Sequence, residues 1–284
     1  MKKIDLHVHS NCSDGTMTPT EVVQHAAETG LSAFALTDHD NTDGLEEALA
    51  AGAELELEVI PGIEFSTRYG GRDVHIVGLE PNWKHPVFQE RIQIYQTVRS
   101  RRNQAMIDKM AHDGIDISSE KMKAAFGDAI WTRAHFARYL AEHGYVAHMR
   151  DAFETHVGPG CKYYVPREKI TPHEVTALLR EFDGIPILAH PMQYQFSDEQ
   201  LRILLRELAA CGLIGIEVYY STHTEEETAY LANLAREFGL LPSGGSDFHG
   251  ANKPSIALGS GKNNLSIPYE IIEQLRSKNK GEYL

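Results

Sequence analysis

Apolar residues in this chain follow two rhythms that take turns. Short apolar runs at Ile4–Val8, Ala33–Leu36, Val59–Ile60, Val74–Leu79, Ile185–Ala189, Gly215–Tyr219 and Leu240–Ser243 read as strands. Between them, amphipathic stretches at Pro19–Thr29, Gly44–Ala53, Pro172–Glu181, Asp198–Ala210 and Thr224–Phe238 read as helices. Thr18 followed by Pro19 is a helix start, and Gly30, Gly212 and Gly239 stand where helices should stop. Repeated strand-then-helix units imply a parallel α/β sheet, and about seven of them predict a barrel closed on itself. The rhythm breaks from Val98 to Gly160, where Tyr95–Gly114, Ser119–Phe126, Trp131–Glu142 and Val146–Val157 all read as helices. Gly158-Pro159-Gly160 then signals a loop. The expected organisation is a barrel over residues 1–98 and 161–284, with a small all-helical insertion, 99–160, over its mouth.

Polar residues interrupt the strands in a pattern of their own. Side chains alternate along a strand, so Ile4, Leu6 and Val8 should share one face and Asp5, His7 and His9 the other. An H-x-H alone carries little weight, because 15 His in 284 residues supply one roughly by chance. The other strand ends supply the weight. Thr37-Asp38-His39-Asp40 follows one apolar run, Pro61-Gly62-Ile63-Glu64 another, and His190-Pro191 ends a third. His75 lies inside an apolar strand, and Asp247 and His249 flank Phe248. Singly, His75 or His190 would read as a hydrogen-bonded core histidine and Glu64 as a cap or surface charge. His25, His112, His143, His148, His156 and His173 fall in helices or loops and read as solvated. Jointly, the strand-end set predicts a polynuclear metal site at the C-terminal barrel mouth, where such barrels place their chemistry.

Composition narrows the partners. The 42% hydrophobic and 24% charged fractions are those of an ordinary globular protein, and no apolar run is long enough to cross a membrane as a helix. A net charge of −13 argues against a broad platform for duplex nucleic acid. A small anionic substrate beside divalent metals stays open, because the ions reverse the local field. Cys12, Cys161 and Cys211 are odd in number and far apart, and no leader-like apolar segment opens the chain. A cytoplasmic enzyme is expected, with no obligate protein partner evident.

The motifs His7-Val8-His9, Asp14-Gly15, Thr37-Asp38-His39-Asp40, Pro61-Gly62-Ile63-Glu64, His75, His190-Pro191 and Asp247-Phe248-His249 resemble, in this order, those of the polymerase-and-histidinol-phosphatase (PHP) family of metal-dependent phosphoesterases. The resemblance implies a distorted (β/α)7 barrel and three metal positions. His7, His9, Glu64 and Asp247 would hold one cation; Glu64, His75 and His190 a second; Asp14, His39 and His249 a third. Two or three divalent ions are implied. Imidazole and carboxylate without thiolate suit Mn²⁺, Fe²⁺ or Zn²⁺, with Mn²⁺ expected. Asp5 and Asp38 would orient imidazoles. A water bridging such metals would supply hydroxide near neutral pH.

The chain is most similar to a subgroup with a helical insertion, whose members remove the 3′-phosphate of nucleoside 3′,5′-bisphosphates and trim short RNA from its 5′ end. Arg101-Arg102-Asn103, Thr132-Arg133-Ala134-His135 and Gly160-Cys161-Lys162-Tyr163-Tyr164 carry that likeness. The subgroup's Gly-Arg-Tyr after His-Pro is here Met192-Gln193-Tyr194, one arginine short. Arg133 is the first expectation for a phosphate contact, since its planar fork suits phosphate. His135, Arg102, Lys162, Tyr194 and His223 are further substrate-binding candidates. Asp40, His223 and a water are alternatives for protonating the leaving group. Other readings are a phosphatase for a sugar or amino-alcohol phosphate, or a non-catalytic metal-binding module.

Overall fold

The computed structural model describes residues 2–166 and 170–282. Its strands are β1 (Lys3–Val8), β2 (Ala33–Leu36), β3 (Glu58–Tyr69), β4 (Arg72–Leu79), β5 (Ile185–Leu188), β6 (Gly215–Tyr220), β7 (Leu241–Gly245) and β8 (Ile267–Pro268). They form one sheet in the order β7-β6-β5-β4-β3-β2-β1-β8. The ring closes between β7 and β1, where Val8 bridges Phe248 in parallel and the Asp247 amide donates to the His7 carbonyl. Glycine is required at this seam: a Cβ on Gly245 would lie 2.3 Å from the His7 Cβ. Seven strands thus make the expected barrel. The two-residue β8 adds an antiparallel edge to β1, too short to leave a periodic signal in the sequence.

Most outer helices match the amphipathic stretches: α1 (Pro19–Glu28), α2 (Leu45–Glu54), α7 (Pro172–Glu181), α8 (Asp198–Ala210) and α9 (Glu225–Glu237). Capping boxes start α1, α7, α8 and α9. A further helix, α10 (Glu270–Asn279), closes the barrel floor by placing Ile271, Ile272 and Leu275 against Ile4, Ile185 and Leu241.

Strand direction departs from the all-parallel expectation. β3 runs twelve residues rather than two and turns at Gly70-Gly71, both at positive φ, directly into antiparallel β4. β5 pairs with β4 antiparallel as well. Glu64 therefore lies inside a long hairpin rather than beyond a short strand, across from β4, which holds His75 as expected. The Gly-Gly pair between alternating residues was the available signal.

A bulge in β1 breaks the alternation predicted there. Asp5 pairs with Phe34 and Val8 with Leu36, so three steps on β1 face two on β2. Ile4 and Leu6 lie in the barrel interior, whereas Val8 packs outside, beneath α1 and α2. The extra residue separates Asp5 from His7, and it lets His7 face the interior with His9.

The insertion comprises α3 (Pro86–His112), α4 (Ser119–Phe126), α5 (Arg133–Glu142) and the single turn α6 (Met149–Ala152), which continues as a π-turn over Phe153–Val157. It has its own core around Met106, Met110, Met122, Phe136 and Leu140. Residue 98 falls within α3, whose first turns pack on the barrel through Phe88 and Ile92.

Candidate metal centre

Nine imidazole and carboxylate side chains meet at the C-terminal mouth, with Glu64 at their centre. Its Oε1 lies 2.9 Å from His75 Nδ1 and 3.0 Å from His190 Nε2. Its Oε2 lies 2.9 Å from His39 Nδ1 and 3.3 Å from both His7 Nε2 and His9 Nε2. Asp247 Oδ1 sits 3.3 Å from His9 Nε2 and from His249 Nδ1. Asp14 Oδ1 sits 3.1 Å from His249 Nε2, and its Oδ2 is 3.7 Å from His39 Nε2. Asp40, His190 and Asp247 are held at positive φ, a strain of about 1–3 kcal/mol each that the surrounding barrel sustains.

The donor atoms fit cations better than one another. His7 Nε2, His9 Nε2, His39 Nδ1, Asp14 Oδ1 and Glu64 Oε2 are buried without an aligned hydrogen bond among the described residues. Burying such groups unpaired is costly, and a divalent ion removes that cost. Charge points the same way. Burial raises the Asp14, Glu64 and Asp247 carboxyls, yet neighbouring imidazoles, and Lys253 for Asp247, hold all three well below their usual range. Burial pushes His39 down to about 4, leaving the ring neutral with one nitrogen lone pair available. Burial also opposes charge on His9, but the Asp247 and Glu64 carboxylates hold it up at about 9. A cation would relieve the excess of buried negative charge that forces that proton on.

Candidate donor sets within 4.8 Å are His9, Asp14, His39 and His249; His7, Glu64 and His190; His7, His9 and Asp247; and His39, Glu64 and His75. The three-way partition implied by resemblance groups these residues differently. His190 stands with His7 and Glu64 rather than with His75, His9 joins the Asp14 side, and His39 is shared between the Asp14 and Glu64 sides.

Residues with no role in the sequence reading support this rim. Glu217 accepts from the His190 amide and lies 3.1 Å from His7 Nδ1, the position that fixes a ligand imidazole. Tyr220 and Lys253 both donate to Asp247 Oδ2. Thr132, the N-cap of α5, donates to Asp14 Oδ2 at 2.7 Å, carrying the insertion into the rim. The sequence signal for Thr132 was its capping position before Arg133. Glu217 had one too, as a lone carboxylate inside an apolar strand.

Asp5 and Asp38 act differently from expectation. Asp5 accepts from the Ser246, Gly259 and His7 amides and so ties backbone segments, because the β1 bulge turns it away from the imidazoles. Asp38 accepts from Ser10 and Ser13, and reaches His9 only through the Ser13 hydroxyl.

The substrate-binding candidates divide sharply. A cavity of about 510 Å³ opens over the rim, bounded by His39, His249, Arg99, Arg133, Phe153 and Lys253. Arg133 also borders a neighbouring cavity of about 490 Å³ containing His75, His190, Gln193 and Tyr194. Its Nη2 pairs with Asp73 at 2.8 Å and its guanidinium lies over the Tyr164 ring, while Nη1 is buried without a hydrogen-bond partner among the described residues. None of the other candidates lines the cavity over the rim, and of them Tyr194 alone borders its neighbour. His135 Nδ1 accepts from the Thr132 amide in the capping box, and burial pushes the ring down to about 4. Arg102 is buried in the insertion against Met106. Lys162 is 67% exposed and pairs with Asp113 away from the mouth. Tyr194 braces β4 and β5 by accepting from the His75 amide and donating to the Ala189 carbonyl. His223 lies under Tyr220 with Nδ1 on the Val218 carbonyl. Asp40 is a poor proton donor here, because its oxygens accept from the Ser66 amide and from buried Arg99.

Known proteins match both fold and site. The PHP domain model matches residues 5–158, a little over half of the chain. A 5′-3′ exoribonuclease of Haemophilus influenzae is 38% identical over 248 residues, covering 87% of this chain and 90% of the relative. A 3′,5′-nucleoside bisphosphate phosphatase of Chromobacterium violaceum is 34% identical over 250 residues, covering 88% of each. The solved structure of an amidohydrolase from Chromobacterium violaceum, with bound sulfate and no metal, superposes with a TM-score of 0.86 at 32% identity, over 97% of this chain and 96% of that one. With its ligand set converging on one carboxylate at the mouth of a seven-strand ring, the chain belongs to the PHP family.

Proposed function

We propose that this protein is a divalent-metal-dependent phosphoesterase that removes the 3′-phosphate of nucleoside 3′,5′-bisphosphates, trims short RNA from its 5′ end, or does both. The carrying observation is the cavity over the candidate metal rim, which Arg133 lines together with Asp14, His39, His75 and His249. The two relatives named above, with those activities, support the substrate class. Mn²⁺ is the favoured ion, with two or three held by His7, His9, Asp14, His39, Glu64, His75, His190, Asp247 and His249. When bound, the cations supply Lewis acidity at phosphoryl oxygens and lower the pKa of water.

The chain's own residues supply the rest. Arg133, which lines the cavity, offers its guanidinium to a phosphate oxygen while Asp73 keeps its fork oriented. Lys253, on Asp247 at the cavity edge, adds a second positive charge. Glu217 and Thr132 hold His7 and Asp14 in their ligating orientations. Three free cysteines, Cys12, Cys161 and Cys211, support a reducing, cytoplasmic setting.

A second reading, a phosphatase for another small phosphomonoester, draws support from Lys162 lying outside the cavity and from Gln193 being engaged with Tyr220. Mn²⁺-loaded protein assayed on adenosine 3′,5′-bisphosphate, 5′-phosphorylated tetranucleotide RNA and sugar phosphates separates the two. Phosphate or mononucleotide release from the first two, abolished by EDTA and restored by Mn²⁺, is expected. Release from sugar phosphates alone would favour the second reading, and none from any substrate would overturn both.

A further inference from the structure

A third cavity, of about 310 Å³, lies in the insertion. One wall is α3, where Arg99, Asn103 and Ile107 recur every four residues and so face the same way. The opposite wall is the Gly127–Trp131 loop, anchored by the Ile130 amide on the Cys12 carbonyl and leading directly to Thr132 on Asp14. Arg99 also borders the cavity over the metal rim, so the two spaces share one side chain as a wall.

Two of its lining residues each carry a buried polar atom that lacks a partner among the described residues. Asn103 is 5% exposed; its Nδ2 donates to the Trp131 carbonyl, but its Oδ1 accepts nothing. Arg99 is 2% exposed; it uses Nε and Nη2 on Asp40 and Ser66, but its Nη1 donates to nothing. Leaving a buried acceptor and a buried donor unmade is expensive. A ligand edge carrying a donor beside an acceptor removes both penalties once a small side-chain shift brings these atoms to the cavity wall. Trp131 and Ile107 add an aromatic and an aliphatic wall, while Ser100 and Lys123 stand exposed at the rim. A flat aromatic ring with paired donors and acceptors on its edge is a nucleobase, whose face stacks on aromatic side chains.

We propose that this cleft holds the base of the second nucleotide of a short 5′-phosphorylated oligonucleotide, while its 5′-terminal nucleotide occupies the cavity over the metals. The inference rests on the nucleotide reading of the site. It makes the insertion a length sensor: substrates of two or more nucleotides gain a contact that a mononucleotide lacks.

The test separates binding from turnover. Mn²⁺-treated protein is titrated with 5′-phosphorylated diadenylate carrying a non-hydrolysable methylphosphonate linkage, and with the same compound abasic at the second position. Tryptophan fluorescence reports binding, since the chain has two Trp and one lines the cleft. Binding at least about tenfold weaker for the abasic compound is expected. Asn103→Leu removes the acceptor, and Ser100→Phe, at an exposed helix position, crowds the cleft should the first variant fold poorly. Either should weaken the diadenylate about tenfold and leave kcat/KM on adenosine 3′,5′-bisphosphate within about twofold. Equal affinity for the two compounds, or equal losses on mono- and dinucleotide, would overturn the proposal. Base-dependent binding without phosphate release from any substrate would retain the cleft and sink the catalytic reading instead.

Discussion

The barrel mouth and the helical insertion carry similar residue types to very different ends. At the mouth, His7, His39, His75 and His190 come from four separate strands or strand ends, and all turn nitrogen atoms toward one carboxylate. In the insertion, His135 caps a helix, Arg102 packs on Met106 and Lys162 meets Asp113. The insertion reaches the cavity over the rim through Arg99 on α3, Thr132 and Arg133 at the start of α5, and Met149, Arg150, Phe153 and Glu154 beyond it. The difference is geometric. A closed barrel leaves strand ends only one place to converge, whereas a helix can turn a polar side chain toward its own cap, a neighbour or water. Residue type at a strand end therefore predicts a site far better than the same type on a helix.

The comparison can be broken at its strongest point first. Glu64→Gln should lower kcat/KM by about a thousandfold or more and deplete bound metal measured by elemental analysis, with the far-ultraviolet dichroism unchanged. Near-normal activity would mean that the central carboxylate does not organise the rim. Arg133→Ala comes next: KM for the phosphorylated substrate should rise roughly 10–100-fold at unchanged metal content, and Arg133→Lys should recover little, because an ammonium cannot keep the fork on Asp73. Metal loss in Arg133→Ala would move the residue from substrate to rim.

Thr132→Val tests whether the insertion supports the barrel. It removes the hydroxyl on Asp14 and should cost about tenfold in metal affinity, read by competition with a chelating dye. The smallest effects belong to the candidates turned elsewhere. His135→Ala should cost about 1 kcal/mol of stability through the lost cap, measured by urea unfolding, with kcat/KM within about threefold. Lys162→Ala should leave kcat/KM within about twofold, since an exposed pair away from the mouth contributes little. A large KM effect from Lys162→Ala would erase the contrast between the two regions.

Much of the barrel could be read in the chain itself, because burying apolar runs between amphipathic helices admits few arrangements. Strand count, the main outer helices and most of the rim follow from the period of the pattern and from where histidine and acid interrupt it, whereas Asp14, and the choice of these residues over Asp5, Asp38 and Asp40, rest on the family resemblance. The β1 bulge could not be read this way. Alternation along Ile4–His9 assumes an even ladder, and only pairing with β2 shows the extra residue that parts Asp5 from His7. Nor could the β3–β4 reversal be weighed locally, since a glycine pair signals a turn without saying which strands flank it.

The sequence by itself determined which residue types sit at the barrel mouth and that they suit divalent cations and a phosphoester. Only the tertiary structure decided the partners: Glu64 against five imidazoles, Glu217 against His7, Thr132 against Asp14, and Asp40 withdrawn onto Arg99. The reason is the range of the forces involved. Apolar periodicity acts over a few residues and is written locally. A hydrogen bond or ion pair requires contact within about 3–4 Å, and which distant side chains come that close depends on barrel closure, a bulge and a hairpin that no short window contains.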